Sequence, residues 1–153
     1  MSGKFALNTS VSIDKSKAEL EWLLQRYGAT EFAYMKSPTK AMIGFMVKGR
    51  RIQLTLELPN PKEFERSERG RVRTQEAAYQ AWEQACRGKW RALVLIVKAK
   101  LEGIECGIVN MDSEFLAYTS LPNGKTIGDM LEPQIQRMVE SGKVPALMPG
   151  GGL

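Results

Sequence analysis

Apolar and polar residues alternate most regularly between residues 41 and 58. The apolar positions are Ala41, Ile43, Phe45 and Val47 in a first run, and Ile52, Leu54, Leu56 and Leu58 in a second. Lys48-Gly49 separates the two runs, and Pro59 follows the second. Alternation with a period of two is typical of strands with one buried face, and a short turn containing glycine joins antiparallel neighbours. The pattern therefore predicts a β-hairpin.

A helical period dominates the chain after Thr74, which can cap the start of a helix. The apolar residues spaced by three and four positions are Trp90, Leu93, Val97, Leu101 and Ile104. The continuous apolar run from Leu93 to Val97 would also suit a strand, but the length of the flanking helical pattern favours a helix that ends near residues 102–105. We expect its apolar stripe to pack on the apolar face of the hairpin, with Trp90 in the core.

Shorter elements flank this core. They are predicted as a helix over Ser16–Tyr27, a strand over Glu31–Lys36, a strand over Phe115–Leu121 and a helix from Thr126 to about Gly142. Asp14 or Ser16 can cap the first helix, and Thr126 with Asp129 resembles a capping box at the start of the last. Pro133 is expected to bend or restart that last helix.

These elements predict the α+β class, with an antiparallel sheet of three or four strands packed on one long helix and short N- and C-terminal helices. The 153 residues, 43% of them hydrophobic and 25% charged, suit one globular domain. We expect that domain to span residues 1–142. Residues 143–153 contain three consecutive glycines and are predicted to form a flexible C-terminal tail.

The apolar runs and the cysteines bear on the cellular setting. The longest apolar run, Ala92–Val97, is much too short to cross a bilayer, and no apolar stretch of signal-peptide length opens the chain. The two cysteines, Cys86 and Cys106, would lie about 30 Å apart on one helix, too far for a disulfide. The sequence therefore predicts a soluble cytoplasmic protein.

The net positive charge indicates polyanionic partners, since the chain has 22 Lys and Arg residues and only 17 Asp and Glu residues. The segment Asn60–Arg73 lacks periodicity and is rich in proline, glycine, serine and charge, so it is predicted to be a mobile basic loop. A solvated connector, with its charge diluted by three glutamates, is the alternative. The candidate nucleic-acid-binding residues are Lys48, Arg50, Arg51, Arg66, Arg69, Arg71, Arg73, Arg87, Lys89 and Arg91.

Several kinds of chemistry lack their usual residues in this chain. The absence of histidine removes the commonest general base, the commonest zinc ligand and every histidine-paired nucleophile. The acidic residues between Asp112 and Glu132 form no recognisable metal-ligand motif. The run Asn123–Thr126 is similar to the end of a phosphate-binding loop but lacks the preceding glycines. We therefore expect no enzyme activity, no catalytic residues, no metal and no cofactor.

Short segments carry a resemblance to a known family. They are Trp90–Glu102 (WRALVLIVKAKLE), Glu114–Tyr118 (EFLAY) and Leu121–Gly128 (LPNGKTIG), together with Tyr27–Ala29 and Leu58–Pro59. In these segments the chain resembles a family of small uncharacterised proteins from bacteriophages and prophages, over about residues 11–149. The resemblance implies a setting in the cytoplasm of a bacterial host, and it implies no catalytic residues.

Charge and resemblance together predict a phage-type nucleic-acid-binding protein. Cations that hold phosphates beside aromatic rings that stack on bases are typical of single-strand binding without sequence readout. We expect binding or annealing of single-stranded DNA in replication or recombination. The alternative is a small host-takeover or anti-defence protein that inhibits a host protein or sequesters an anionic nucleotide signal. Met42 and Met46 would then provide an adaptable contact surface, or be covered by another element of the chain or by a second copy in a homo-oligomer.

Overall fold

The structure is a computed structural model and describes residues 5–145. Its strands are β1 (Thr30–Lys36), β2 (Lys40–Val47) and β3 (Arg50–Glu57), and its α-helices are α1 (Ile13–Gln25), α2 (Gln75–Glu105), α3 (Met111–Glu114) and α4 (Ile127–Ser141). Short 3-10 helices cover Phe5–Asn8, Pro61–Phe64 and Leu116–Tyr118. The predicted α+β class is confirmed. Between residues 5 and 145, no helix is both long and apolar enough to cross a bilayer.

The three strands form an antiparallel sheet in the order β1-β2-β3. Lys48 and Gly49 have φ values of +48° and +73°, which is typical of the type I′ turn that suits two-residue hairpins. The predicted β2–β3 hairpin is therefore confirmed, with unbroken pairing from Lys40 opposite Glu57 to Val47 opposite Arg50. The β1–β2 pairing contains a bulge near Glu31, whose φ is +55°.

One face of the sheet packs against α1 and α2, and the buried side chains are those of the alternating pattern. Sheet residues in the core include Ile43, Phe45, Ile52 and Leu54, and α2 contributes Trp90, Leu93, Val97 and Leu101. The predicted packing of the hairpin face on the α2 stripe is confirmed. Trp90 is only 3% exposed, so its ring belongs to the core and cannot stack on a base.

Side-chain caps mark where the helices begin, and the cap of α1 corrects the predicted start of that helix. The Ser12 side chain accepts a hydrogen bond from the Lys15 backbone, and α1 begins at Ile13, before the predicted start at Ser16. Ser16 is fully buried inside the helix and cannot act as the cap. Thr74 caps α2 as predicted, since its side chain accepts from the Ala77 backbone.

The predicted strand over Phe115–Leu121 is wrong. Asn110 caps the helical turn α3, and Phe115 follows α3 with its ring buried in the core. Only a short edge contact remains beyond this point: Thr119 bridges Ile52, and the Ser120 backbone donates to Arg51 at 2.8 Å. The local cap and the burial of one aromatic ring thus outweigh the strand propensity of this segment.

Helix α4 has the predicted termini. Thr126 and Asp129 form a reciprocal capping box, and Gly142 ends the helix with a φ of +67°. The hydrogen bonds from Thr126 hold the pKa of the Asp129 carboxyl below its ordinary value. α4 is continuous through Pro133, so the alternative of a restart there is wrong. Residues 143–145 follow α4 without regular structure, and the rest of the predicted tail lies outside the described residues.

Candidate nucleic-acid interface

The structure places the predicted cations in three separate regions. They are the β2–β3 turn with Lys48, Arg50 and Arg51, the segment 61–73 with Arg66, Arg69, Arg71 and Arg73, and the middle of α2 with Arg87, Lys89 and Arg91. The turn precedes β3 and the segment follows it, so the 8 residues of β3, about 27 Å, separate the two. The predicted cations therefore do not form one continuous surface.

Local hydrogen bonds give the segment 61–73, predicted to be a mobile basic loop, a defined turn, and its mobility stays a prediction. Arg66 and Val72 form an antiparallel bridge, and the Ser67 backbone donates to the Arg71 carbonyl at 2.8 Å. Gly70 makes the reversal possible with a φ of +78°, in the left-handed region that favours glycine. We call residues 61–73 the basic hairpin. Whether it orders further on a ligand stays a prediction.

Arg73 has a structural role inside the basic hairpin. Its Nη1 donates to the carbonyl oxygens of Phe64 at 3.1 Å and Arg66 at 2.9 Å. The side chains of Arg69 and Arg71 are exposed and make neither a hydrogen bond nor an ion pair within residues 5–145. Arg69 and Arg71 are therefore accessible to a phosphate, as is Lys62, which is also exposed and unpaired within the described residues.

We expect Arg73→Ala to lower the free energy of unfolding by about 1–3 kcal/mol, because two carbonyls lose a charged donor. Arg69→Ala removes the same kind of side chain where it is exposed and makes no hydrogen bond or ion pair, and should change stability by about 0.5 kcal/mol or less. Urea unfolding of both variants measures the difference. Equal stabilities would show that Arg73 does not hold the hairpin together.

The three cations in the middle of α2 lie on opposite sides of the helix. At about 100° per residue, Lys89 is half a turn away from both Arg87 and Arg91. Arg91 forms an ion pair with Glu19 of α1, and Arg87 lies 3.6 Å from Glu83. Lys89 is exposed and has no ion pair within the described part of the chain. Of these three residues, Lys89 alone is placed to meet a ligand.

A groove of about 290 Å³ runs between β3 and α2 on the Lys89 side. We call it the β3–α2 groove; its lining includes Leu54, Leu56, Ala92, Ile96, Phe115 and Tyr118, with Lys89 and Lys100. Ile96 is 52% exposed, so its side chain forms an accessible apolar floor. Lys100 donates to Glu114 at 2.6 Å, and its ammonium lies 5.8 Å from the Tyr118 ring centre. The groove thus combines an apolar floor with flanking cations.

Contacts along α2 place the basic hairpin at one end of the β3–α2 groove. Phe115 and Tyr118 mark the other end, where the following residue Thr119 bridges the start of β3. Toward its N-terminus, α2 reaches the end of β3, where Trp82 Nε1 donates to the Pro59 carbonyl at 2.8 Å. Tyr79, 58% exposed, lies beside Trp82 with a ring separation of 5.9 Å. Aromatic rings therefore lie between the groove and the basic hairpin.

Sequence reasoning identified Lys89 but missed Lys100, Ile96 and Tyr118. A helical projection places Lys89, Ile96 and Lys100 on one side of α2, so the sequence did contain a pattern that indicates part of the groove. No sequence pattern indicated Tyr118, because its position depends on the helical turns that replace the predicted strand.

A second groove, of about 520 Å³, lies on the outer face of the sheet, opposite the core. We call it the outer groove; it is lined by Glu31, Ala33, Tyr34, Met35, Met42, Gly44, Phe45, Met46, Arg51 and Gln53. Arg51 thus belongs to this groove. Its neighbour Arg50 lies 3.5 Å from Asp112, and Lys48 is exposed at the turn.

No family model matches the chain, and comparison with curated proteins and with solved structures finds no significant similarity.

Proposed function

We propose that the protein binds single-stranded nucleic acid along the β3–α2 groove and onto the basic hairpin. In the phage setting implied by the family resemblance, this activity would serve annealing or protection of single strands in replication or recombination, in the cytoplasm of the bacterial host. The observation that carries the proposal is the groove itself: an exposed apolar floor with Lys89 beside it and accessible arginines at its end.

The chemistry of the groove suits unpaired bases. Bases stack on aromatic and apolar surfaces whatever their identity, while cations at the margin hold the phosphates. Ile96 and Tyr118 offer the first kind of contact, and Lys89 offers the second without competition from a carboxylate. Lys100 is partly neutralised by Glu114, so we expect a smaller contribution from it.

A salt titration tests the proposal. Fluorescence anisotropy with a labelled oligothymidine should show binding whose logarithmic affinity falls linearly with the logarithm of salt concentration. With phosphates neutralised by Lys89, Arg69 and Arg71, the expected slope is about −2. Duplex DNA of equal length should bind more weakly, because its bases are not available to the apolar floor. Absence of binding to any single strand at low salt would overturn the proposal.

The alternative function, inhibition of a host protein or capture of a nucleotide signal, would use a different surface. The specific observation in its favour is the outer groove, whose methionines form an adaptable contact surface. Pull-down from nuclease-treated host lysate separates the two functions. A host-protein inhibitor should retain one stoichiometric partner after nuclease treatment, whereas a nucleic-acid binder should lose what it carried.

A further inference from the structure

Tyr79 is an exposed aromatic residue where α2 leaves the basic hairpin. The hairpin ends at residue 73 and α2 begins at Gln75, so Tyr79 lies about one helical turn after the start of α2. Tyr79 is 58% exposed, and its hydroxyl makes no hydrogen bond within residues 5–145. A large aromatic surface is thus available to a ligand at this junction.

Trp82 supports the ring of Tyr79 from one side. The two ring centres are 5.9 Å apart and the rings are inclined by 46°, an arrangement usual for aromatic pairs. Trp82 is itself anchored, because its Nε1 donates to the Pro59 carbonyl at 2.8 Å. A ring that is held in place before binding loses little conformational entropy when a base stacks on it. Tyr79 therefore offers a preorganised stacking surface.

Tyr79 lies on the same side of α2 as the β3–α2 groove. It precedes Val97, which lines the groove, by 18 residues, and 18 residues make five full helical turns. Trp82 precedes Lys89 by seven residues, which brings these two side chains within about 20° of each other around the helix axis. The aromatic pair therefore continues the groove along α2, past the end of β3.

The carboxylates nearest to Tyr79 along the helix already have partners. Glu76, one turn earlier, accepts a hydrogen bond from the Gln80 side chain at 3.1 Å. Glu83, one turn later, lies 3.6 Å from Arg87, which offsets its charge. A strand that passes Tyr79 on its way to the basic hairpin therefore meets only partial repulsion from this part of α2.

We propose that Tyr79 stacks on a base of the bound strand where the strand passes from the β3–α2 groove to the basic hairpin. This role rests on the proposed single-strand binding and adds a requirement on the length of the ligand. Tyr79 precedes Ile96 by 17 residues, which is about 26 Å along α2. At about 3.4 Å per stacked nucleotide, that distance spans about eight nucleotides. The ligand is therefore a strand of several nucleotides and not a mono- or dinucleotide.

Trp22 is an exposed aromatic residue that lacks these features, so it provides a matched control. It is 57% exposed, but it lies on α1, and the Arg26 guanidinium lies over its ring at 5.0 Å from the ring centre. α1 forms its ion pair with α2 through Arg91, which faces about half a turn away from Lys89. Trp22 is therefore remote from the proposed path of the strand.

Fluorescence anisotropy with a labelled oligothymidine of about 12 nucleotides measures the contribution of the ring. Tyr79→Ala should weaken binding by about 5-fold to 150-fold, the usual effect of removing one stack between a base and an aromatic ring. Tyr79→Phe keeps the ring and should bind like the wild type. The slope of logarithmic affinity against logarithmic salt should not change, because no phosphate contact is lost. Trp22→Ala should leave the affinity unchanged.

An abasic strand of the same length separates stacking from damage to the fold. It has no bases to stack, so the wild type and Tyr79→Ala should bind it equally. A series of intact strands of increasing length tests the path. The affinity of the wild type should rise steeply up to about eight nucleotides and only slightly beyond, because shorter strands cannot reach both the groove and the basic hairpin.

The outcomes distinguish this role from the proposed function itself. Tight binding of the wild type with no loss in Tyr79→Ala would show that Tyr79 does not stack, and would leave the proposed groove standing. An equal loss on the abasic strand, or full affinity for a trimer, would overturn the role of Tyr79 in the same way. Absence of binding by the wild type would overturn the proposed function and this role together.

Discussion

Phe45→Ala is expected to lower the free energy of unfolding by about 3–5 kcal/mol, the usual cost of removing a large aromatic side chain from a core. Phe45 is 1% exposed. Its ring stacks on Phe32 at 6.0 Å and meets Phe115 edge-on at 6.3 Å. One side chain thus connects β1, β2 and the residue that follows α3, and the cavity left by alanine would loosen all three.

Urea unfolding measures this effect, and the next residue of β2 provides the control. Met46 points to the outer face and is only partly buried, so Met46→Ala should cost about 1 kcal/mol or less. Equal losses for the two variants would contradict the assignment of the two sheet faces.

The contrast between Phe45 and Met46 shows why the hairpin could be predicted from sequence. Burial of one strand face imposes a period of two, and both strands carry that period on either side of a turn with the required glycine. The apolar stripe of α2 was equally predictable, because apolar residues such as Trp90, Val97 and Leu101 recur at helical spacing over several turns. Long periodic elements can be predicted because many of their residues follow the same period.

Short segments could not be predicted in the same way, because single contacts decide them. The strand expected at Phe115–Leu121 is replaced by helical turns because Asn110 caps α3 and one ring enters the core. The basic hairpin depends on the left-handed backbone of Gly70 and on the hydrogen bonds that Arg73 donates to two backbone carbonyls. Neither feature produces a repeating pattern.

The candidate site was only partly predictable for a related reason. Charge identifies cations, but their availability depends on partners that are distant in sequence. Arg91 was expected to bind phosphate, yet it pairs with Glu19, 72 residues away in the chain. Lys89, two residues before it, faces the β3–α2 groove instead. Sequence alone could therefore propose the set of cations, while the fold selects which of them can meet a ligand.

The accessible cations lead to the sharpest test of the proposed interface. Changing Arg69, Arg71 and Lys89 together to alanine should reduce the affinity for a single strand by about 100-fold to 1,000-fold at moderate salt. Each phosphate contact that is lost lowers the number of counterions released on binding. The slope of logarithmic affinity against logarithmic salt should become shallower by about 2. Stability should change by about 1 kcal/mol or less, because all three side chains are exposed.

A second triple variant controls for net charge. Lys15, Lys36 and Lys98 are also exposed, and none of them lines the β3–α2 groove or belongs to the basic hairpin. Changing these three to alanine lowers the net charge equally, and should reduce affinity only slightly through the weaker overall field. Equal losses in the two triple variants would show that binding follows net charge alone. A loss confined to the first variant would place the strand on the β3–α2 groove and the basic hairpin.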